Sequence, residues 1–208
     1  MGHVANAVLY FVLHFILANW QELLGFITGV LCVWLLVKEN IWNWPVGIAN
    51  NIFYILIFFQ SGLYADMGLQ FVYIAIALYG WWNWLHGGRN HSELAVNRAS
   101  PATLLAYAGV AAAATGVLYF LLRRFTPSTV PLADGLTTAM FLTAQYMMSR
   151  KIVENWWFWI IGDALAIGLY IYKDLYLTAV LYVVFMAMCV AGLVEWRKTA
   201  SRVAMVAA

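Results

Sequence analysis

"NWPVGIANNIFYILIFFQ", Asn43–Gln60, is apolar enough to lie in a membrane. Yet it carries Pro45 near its start and two adjacent amides, Asn50 and Asn51, close to its middle. An amide in hydrocarbon costs free energy unless something bonds to it. A second stretch, "NWWFWIIGDALAIGLYIY" at Asn155–Tyr172, begins on the same Asn-Trp pair and carries Asp163 at the corresponding depth. The two stretches lie 112 positions apart, and the fold is read outward from that spacing.

Of the 208 residues, 65% are hydrophobic and only 10% charged. A soluble domain carries roughly 25% charge. Apolar runs of membrane-spanning length recur along the chain, so an all-α polytopic membrane protein is expected. Seven spans are expected, at 22–37, 44–60, 67–84, 103–122, 134–149, 156–172 and 177–196. "VANAVLYFVLHFILANW" precedes them, with Asn6, Tyr10 and His14 forming one polar stripe. Continued into the first span it would make a helix of roughly 50 Å, far longer than a hydrocarbon core of about 30 Å. A break near Asn19–Glu22 and an interfacial or bundle-packed helix are expected, with an eighth span as the rival. The N-terminus lacks a basic region before its apolar stretch, so no cleaved signal peptide is expected. Cys32 and Cys189 lie inside apolar runs and read as unpaired small core residues.

Shifting the chain on itself by 112 positions needs no gap across three spans. Glu22 falls on Asp134, Lys38 on Arg150, Asn43–Trp44 on Asn155–Trp156, Asn51 on Asp163, Gly80 on Gly192 and Trp84 on Trp196. Only twelve positions are identical, so the weight rests on the polar and tryptophan landmarks. The span at 103–122 lies between the copies and inverts the chain, which leaves both copies with the same orientation. Its "AGVAAAATG" suits a close-packing linker. The expected fold is 3+1+3 transmembrane helices: two parallel three-helix repeats joined by a linker helix, plus the N-terminal interfacial helix. The boundaries are 1–21 for the N-terminal helix, 22–84 for the first repeat, 85–133 for loop and linker, 134–197 for the second repeat and 198–208 for a tail. The loop at 85–101, "LHGGRNHSELAVNRASP", is the longest polar connector and the expected junction between halves.

Lys38, Arg89, Arg98, Arg150, Lys151, Arg197, Lys198 and Arg202 fall on the side of the C-terminus, against Arg123, Arg124 and Lys173 on the other. Excess Lys and Arg marks the cytoplasm, so the C-terminus is placed there and the N-terminus of the first span opposite.

Asn51 and Asp163 each sit about seven residues, or roughly 10 Å, into a helix. The second helices of the two repeats should therefore face each other with polar groups. Asn50 points about 100° away from Asn51, so one amide is left for the cavity and one for a neighbouring helix. Gln145 lies in the inner third of the fifth span. Gln70 and Tyr73 lie one turn apart in the outer half of the third. For each amide the bland reading is an interhelical hydrogen bond. Asp163 has no buried basic partner in view, so a water-filled cavity with hydroxyl or amide partners is expected. Its alternative role is a structural acceptor for indole N–H groups. Trp42, Trp44, Trp81, Trp82, Trp84, Trp156, Trp157 and Trp196 sit at span ends, and for most of them an interfacial belt is the expected reading. His3, His14, His86 and His91 lie in terminal or loop positions, without an expected role.

A cavity of amides, one carboxylate and aromatic walls suits a planar, polar heteroaromatic that is neutral or singly cationic. No phosphate-binding loop, HExxH, Cys/His metal cluster or nucleophile–base pair occurs, so neither an enzyme nor a cofactor or metal site is expected. Arginines that could clamp phosphate are missing from the span interiors, which disfavours an anionic nucleotide.

"WNWPVGIANNIFYILIFFQSGLYADMGLQFVYIAIALYGWWNW" together with "DGLTTAMFLTAQYMMSRKIVENWWFWIIGDALAIGLYIYKDLYLTAVLY" resembles the PnuC-type nicotinamide riboside transporters. The resemblance covers 22–84 and 134–197. It implies a bacterial inner-membrane importer with a fold similar to the SWEET sugar carriers, built in one chain. It implies facilitated diffusion of nicotinamide riboside, drawn inward by a cytoplasmic riboside kinase. It implies substrate contacts from Asn50, Asn51, Gln145 and Asp163, then Tyr73 and Gln70. Relatives in the family carry thiamin and riboflavin, so another vitamin is the alternative cargo. A receptor that binds without transport is the alternative of another class. The lipid bilayer is the expected partner and nucleic acid is not. Exposed aromatic and small-residue faces allow a homo-oligomer.

Overall fold

The computed structural model describes residues 20–60 and 64–207. The N-terminal interfacial helix and its rival span lie outside the described residues. Seven α-helices follow one another: α1 Trp20–Val37, α2 Asn43–Gln60, α3 Tyr64–His86, α4 Pro101–Phe125, α5 Pro131–Ser149, α6 Asn155–Tyr172 and α7 Tyr176–Ala207. Each covers one of the seven expected apolar runs. α7 continues past its apolar part, so 198–207 is helical.

The helix ends follow local chemistry. Ser100 caps α4 by accepting from the Thr103 N–H, and Pro101 sits where no N–H is needed. Asn43 donates its amide to the Asn40 carbonyl at 2.8 Å, and Asn155 donates to Ile152 at 2.6 Å. Glu39 and Lys151 take left-handed backbone angles, φ 53° and 50°, in the tight turns that reverse the chain. Side chains with a Cβ resist that region, so both turns are held by their surroundings.

α2 packs on α1 and α3, and α6 packs on α5 and α7. α1 packs on α7, and α3 on α5. These contacts close a ring in the order α1, α2, α3, α5, α6, α7. α4 stands outside it against α5. α2 and α6, expected to face each other, lie on opposite sides of the ring.

The core gathers at the end that carries the α1–α2 and α5–α6 turns, here termed the tryptophan end. Trp44 meets Trp84 edge-on at 5.3 Å, and Trp156 meets Trp196 edge-on at 5.5 Å. Trp84 and Trp196 touch each other at 5.9 Å. The Trp84 indole donates to the Met148 carbonyl and the Trp196 indole to the Leu36 carbonyl, both at 3.1 Å. Every one of these contacts recurs at the 112-residue spacing. Trp42, Trp82 and Trp157 are exposed, as an interfacial belt requires, whereas that reading fails for Trp44, Trp84, Trp156 and Trp196, which are at most 2% exposed. Glycine is the reason. A Cβ on Gly80 would come within 2.3 Å of the Trp44 ring, and one on Gly192 within 2.4 Å of Trp156. The missing side chains let each indole lie flat against the facing helix.

Lys151 and Glu39 complete this end. Lys151 Nζ lies 3.9 Å from Glu39 Oε2 and 4.5 Å over the Trp84 ring. Burial lowers the Lys151 pKa, and Glu39 pulls it part of the way back. The loop at 85–101 lies against the same turn: Asn97 donates to Lys151 at 3.0 Å and accepts from Val153 at 2.9 Å. Away from this end packing loosens, with no buried residue from 52 to 60 in α2 or from 67 to 76 in α3.

α4 and the Thr178–Met205 part of α7 are each long and apolar enough to cross a bilayer. Large apolar side chains are exposed on every helix, among them Ile27, Leu56, Phe71, Leu105, Leu132, Ile161 and Val180. Such a surface would aggregate in water, whereas in hydrocarbon it is the lipid-facing wall.

Candidate functional site

Asn50 finds its partner on a neighbouring helix. Its amide donates to the Thr28 hydroxyl on α1. Thr28 in turn donates to the Leu24 carbonyl at 2.6 Å. The donor of Asn50 is thus used in holding α2 to α1. Asn51, one position on, is half-buried. An interhelical bond of this kind contributes about 0.6 kcal/mol, and about 1.7 at most. Thr28→Val should therefore lower thermal stability in detergent slightly and leave uptake intact. An uptake loss as deep as that of an Asp163 variant would instead place Asn50 in contact with the cargo.

Asp163 is 2% exposed. Its partner is neither an amide nor an indole: the Cys189 thiol of α7 donates to Oδ2 at 3.5 Å. The indole donors of Trp84 and Trp196 go to backbone carbonyls instead. No Lys or Arg pairs with Asp163 among the described residues. α1, α2, α3, α5 and α6 contain neither residue, and α7 has none before Arg197. Cys32 is half-buried and, like Cys189, is a free thiol.

An aromatic wall that sequence reasoning missed stands beside Asp163. Phe141 of α5 lies 5.2 Å from Trp159 of α6 and 6.1 Å from Tyr182 of α7. Tyr182 adds Tyr170 at 5.1 Å and Phe185 at 5.8 Å. Gly162 makes room for it, since a Cβ there would sit 2.6 Å from the Phe141 ring. Trp159 precedes Asp163 by one helical turn, so both lie on one face of α6. The Trp159 indole N–H is buried and without a partner among the described residues. That four-residue spacing was the signal in the sequence.

α3 and α7 lie on opposite sides of the ring, so Tyr73 is placed across the interior from Tyr182. The structure brings together Asp163, Tyr182, Trp159 and Phe141. Gln70, one turn from Tyr73, and Gln145, one turn from Phe141, are half-buried on the same helices. Neither hydrogen-bonds to another candidate among the described residues. The assembled chemistry is one carboxylate, phenols and stacked rings, with no cation among the described residues.

The profile of a family described as "Nicotinamide mononucleotide transporter" matches residues 19–198. The chain is 27% identical over 207 residues to the nicotinamide riboside transporter PnuC of Escherichia coli K12, covering 88% of this chain and 87% of that one. It is 28% identical over 182 residues to the riboflavin/roseoflavin transporter RibM of Streptomyces davaonensis, covering 85% and 84%. Its fold superposes on a crystal structure of the vitamin B3 transporter PnuC with a TM-score of 0.73 at 24% identity, over 94% of this chain and 88% of that one. A helical membrane protein with this match along nearly its whole length belongs to the nicotinamide mononucleotide transporter family, the PnuC-type family of helical membrane transporters.

Proposed function

We propose that the protein takes up nicotinamide riboside by facilitated diffusion with alternating access. The observation that supports this most is Asp163, buried beside Trp159, Phe141 and Tyr182, with no Lys or Arg in α1, α2, α3, α5 or α6 and none in α7 before Arg197. A pyridinium cation stacks on such rings and is attracted by the carboxylate. Asn51, Gln145, Gln70 and Tyr73 bond the carboxamide and ribose hydroxyls, and Asn50 holds the helix that presents Asn51. A phosphate would meet Asp163 and no cation, so the riboside fits better than the mononucleotide that the family description names.

The fold works as two parallel three-helix repeats, 22–84 and 134–197, with the segment 85–133 linking them. The tryptophan end is the cytoplasmic end, where Lys38, Arg98, Arg150, Lys151 and Arg197 gather. The four indoles and the Lys151–Glu39 contact close it, while α2 and α3 are loosely packed opposite. That arrangement is the outward-facing half of the cycle. The repeats rock about the substrate to exchange the two closures. A cytoplasmic kinase that phosphorylates the riboside would keep the gradient inward, in a bacterial inner membrane.

Calorimetry on the purified protein tests the cargo. Micromolar or tighter binding of nicotinamide riboside, with the mononucleotide and thiamin inert, is the expected result. The likeness to RibM favours riboflavin as the second reading. Riboflavin binding without riboside binding would keep the carrier and overturn the cargo.

A further inference from the structure

A cavity of about 270 Å³ opens at the tryptophan end, outside the helix ring. The junction loop, the start of α4 and the end of α5 line it, with Asn97, Arg98, Ser100, Thr103, Tyr107 and Arg150 as its polar side chains of interest. Its lining holds two guanidinium groups, those of Arg98 and Arg150, and the Glu154 carboxylate lies next to it on Arg98. Glu154 takes Arg98 Nε on one oxygen at 3.2 Å and the Ala99 N–H on the other at 2.9 Å. Both Glu154 oxygens are thereby used locally. Arg150 has no carboxylate partner among the described residues, and Nη1 reaches only the Tyr146 hydroxyl, at 3.3 Å. Asn97 fixes the Arg150 backbone by donating to its carbonyl at 3.0 Å. The hydroxyls of Ser100 and Thr103 lie 2.9 Å apart on the α4 side.

The rim faces lipid. Tyr146 of α5 stacks on Tyr79 of α3 at 6.1 Å and meets Tyr107 of α4 at 6.2 Å. Tyr79 and Tyr146 are exposed beside it, and Trp82 is exposed on the adjoining turn of α3. Tyrosine and tryptophan at this level mark the headgroup region. The site thus has a cationic floor at headgroup depth and an aromatic lip toward the hydrocarbon.

We propose that this cavity binds the phosphate of an anionic glycerophospholipid, with Arg150 and Arg98 on the phosphate oxygens, Ser100 and Thr103 on the headgroup, and the acyl chains along Tyr146 and Tyr107. Guanidinium groups form charge-assisted, often bidentate bonds to phosphate. A lipid held there ties α4 to the junction loop and to the end of α5.

Native mass spectrometry of the full chain in detergent tests this, with phosphatidylglycerol against phosphatidylcholine. The wild type should retain phosphatidylglycerol preferentially, and Arg150→Gln should weaken that retention about fivefold. Arg150→Lys keeps the charge and should keep part of the preference. Arg124→Gln, at the opposite end of α4, should leave it unchanged. Equal retention of the two lipids, or an equal loss in Arg124→Gln, would overturn the site. Glycerol 3-phosphate binding as tightly as the whole lipid would overturn the lipid assignment and make it a site for a soluble phosphate.

Discussion

Trp156→Ala should cost about 3–5 kcal/mol, the range for removing a fully buried tryptophan, whereas Trp157→Ala, its neighbour, should stay within about 0.5 kcal/mol. Trp156 is 0% exposed, lies on the bare backbone of Gly192 and meets Trp196 edge-on. Its loss opens a cavity between α6 and α7 that rigid helices cannot close. Trp157 is 44% exposed and faces outward. Thermal unfolding in detergent reads the difference, and a melting temperature lower by roughly 10 °C is expected for Trp156→Ala. Trp44→Ala, 112 positions earlier, should behave alike. Equal effects at 156 and 157 would show that the indole cluster does not hold the tryptophan end together.

Asp163→Ala should reduce riboside affinity by roughly 100-fold with the fold intact, because removing one partner of a buried charge contact costs about 2–5 kcal/mol. Asp163→Asn separates the two components of that loss. It keeps the size and an acceptor but removes the charge. A deep loss in Asn as well as Ala assigns the effect to attraction of the pyridinium. A mild loss in Asn assigns it to hydrogen bonding with ribose hydroxyls. Normal uptake in Asp163→Ala would remove this residue from the site.

Much of the helix pattern was legible in the sequence because apolar runs, prolines and polar turns punctuate it plainly. The 112-residue spacing of Asn43–Trp44, Gly80 and Trp84 with their counterparts also anticipated which contacts recur. The depth of the tryptophans was not legible. In a membrane protein an apolar side chain has two favourable surroundings, lipid and protein, and hydropathy does not separate them. Gly80 and Gly192 held the missing information, four residues before Trp84 and Trp196 on the same helix face. Asp163 was legible as an oddity, but its partner was not. A thiol is a weak donor, and Cys189 in an apolar run reads as filler. Phe141, Trp159 and Tyr182 were hidden by abundance, since aromatic residues crowd nearly every span.

Trp84 on α3 finds its carbonyl on α5, and Trp196 on α7 finds its carbonyl on α1. If 22–84 and 134–197 are the parallel repeats proposed above, each three-helix unit bears both the clasp and the eye that fits it. Such a unit would be its own complement: two separate copies, laid side by side in the same orientation, would fasten to each other twice with a single set of residues. The joined chain would then need no dedicated interface between unlike halves, only a tether long enough to bring the second half round the right way up.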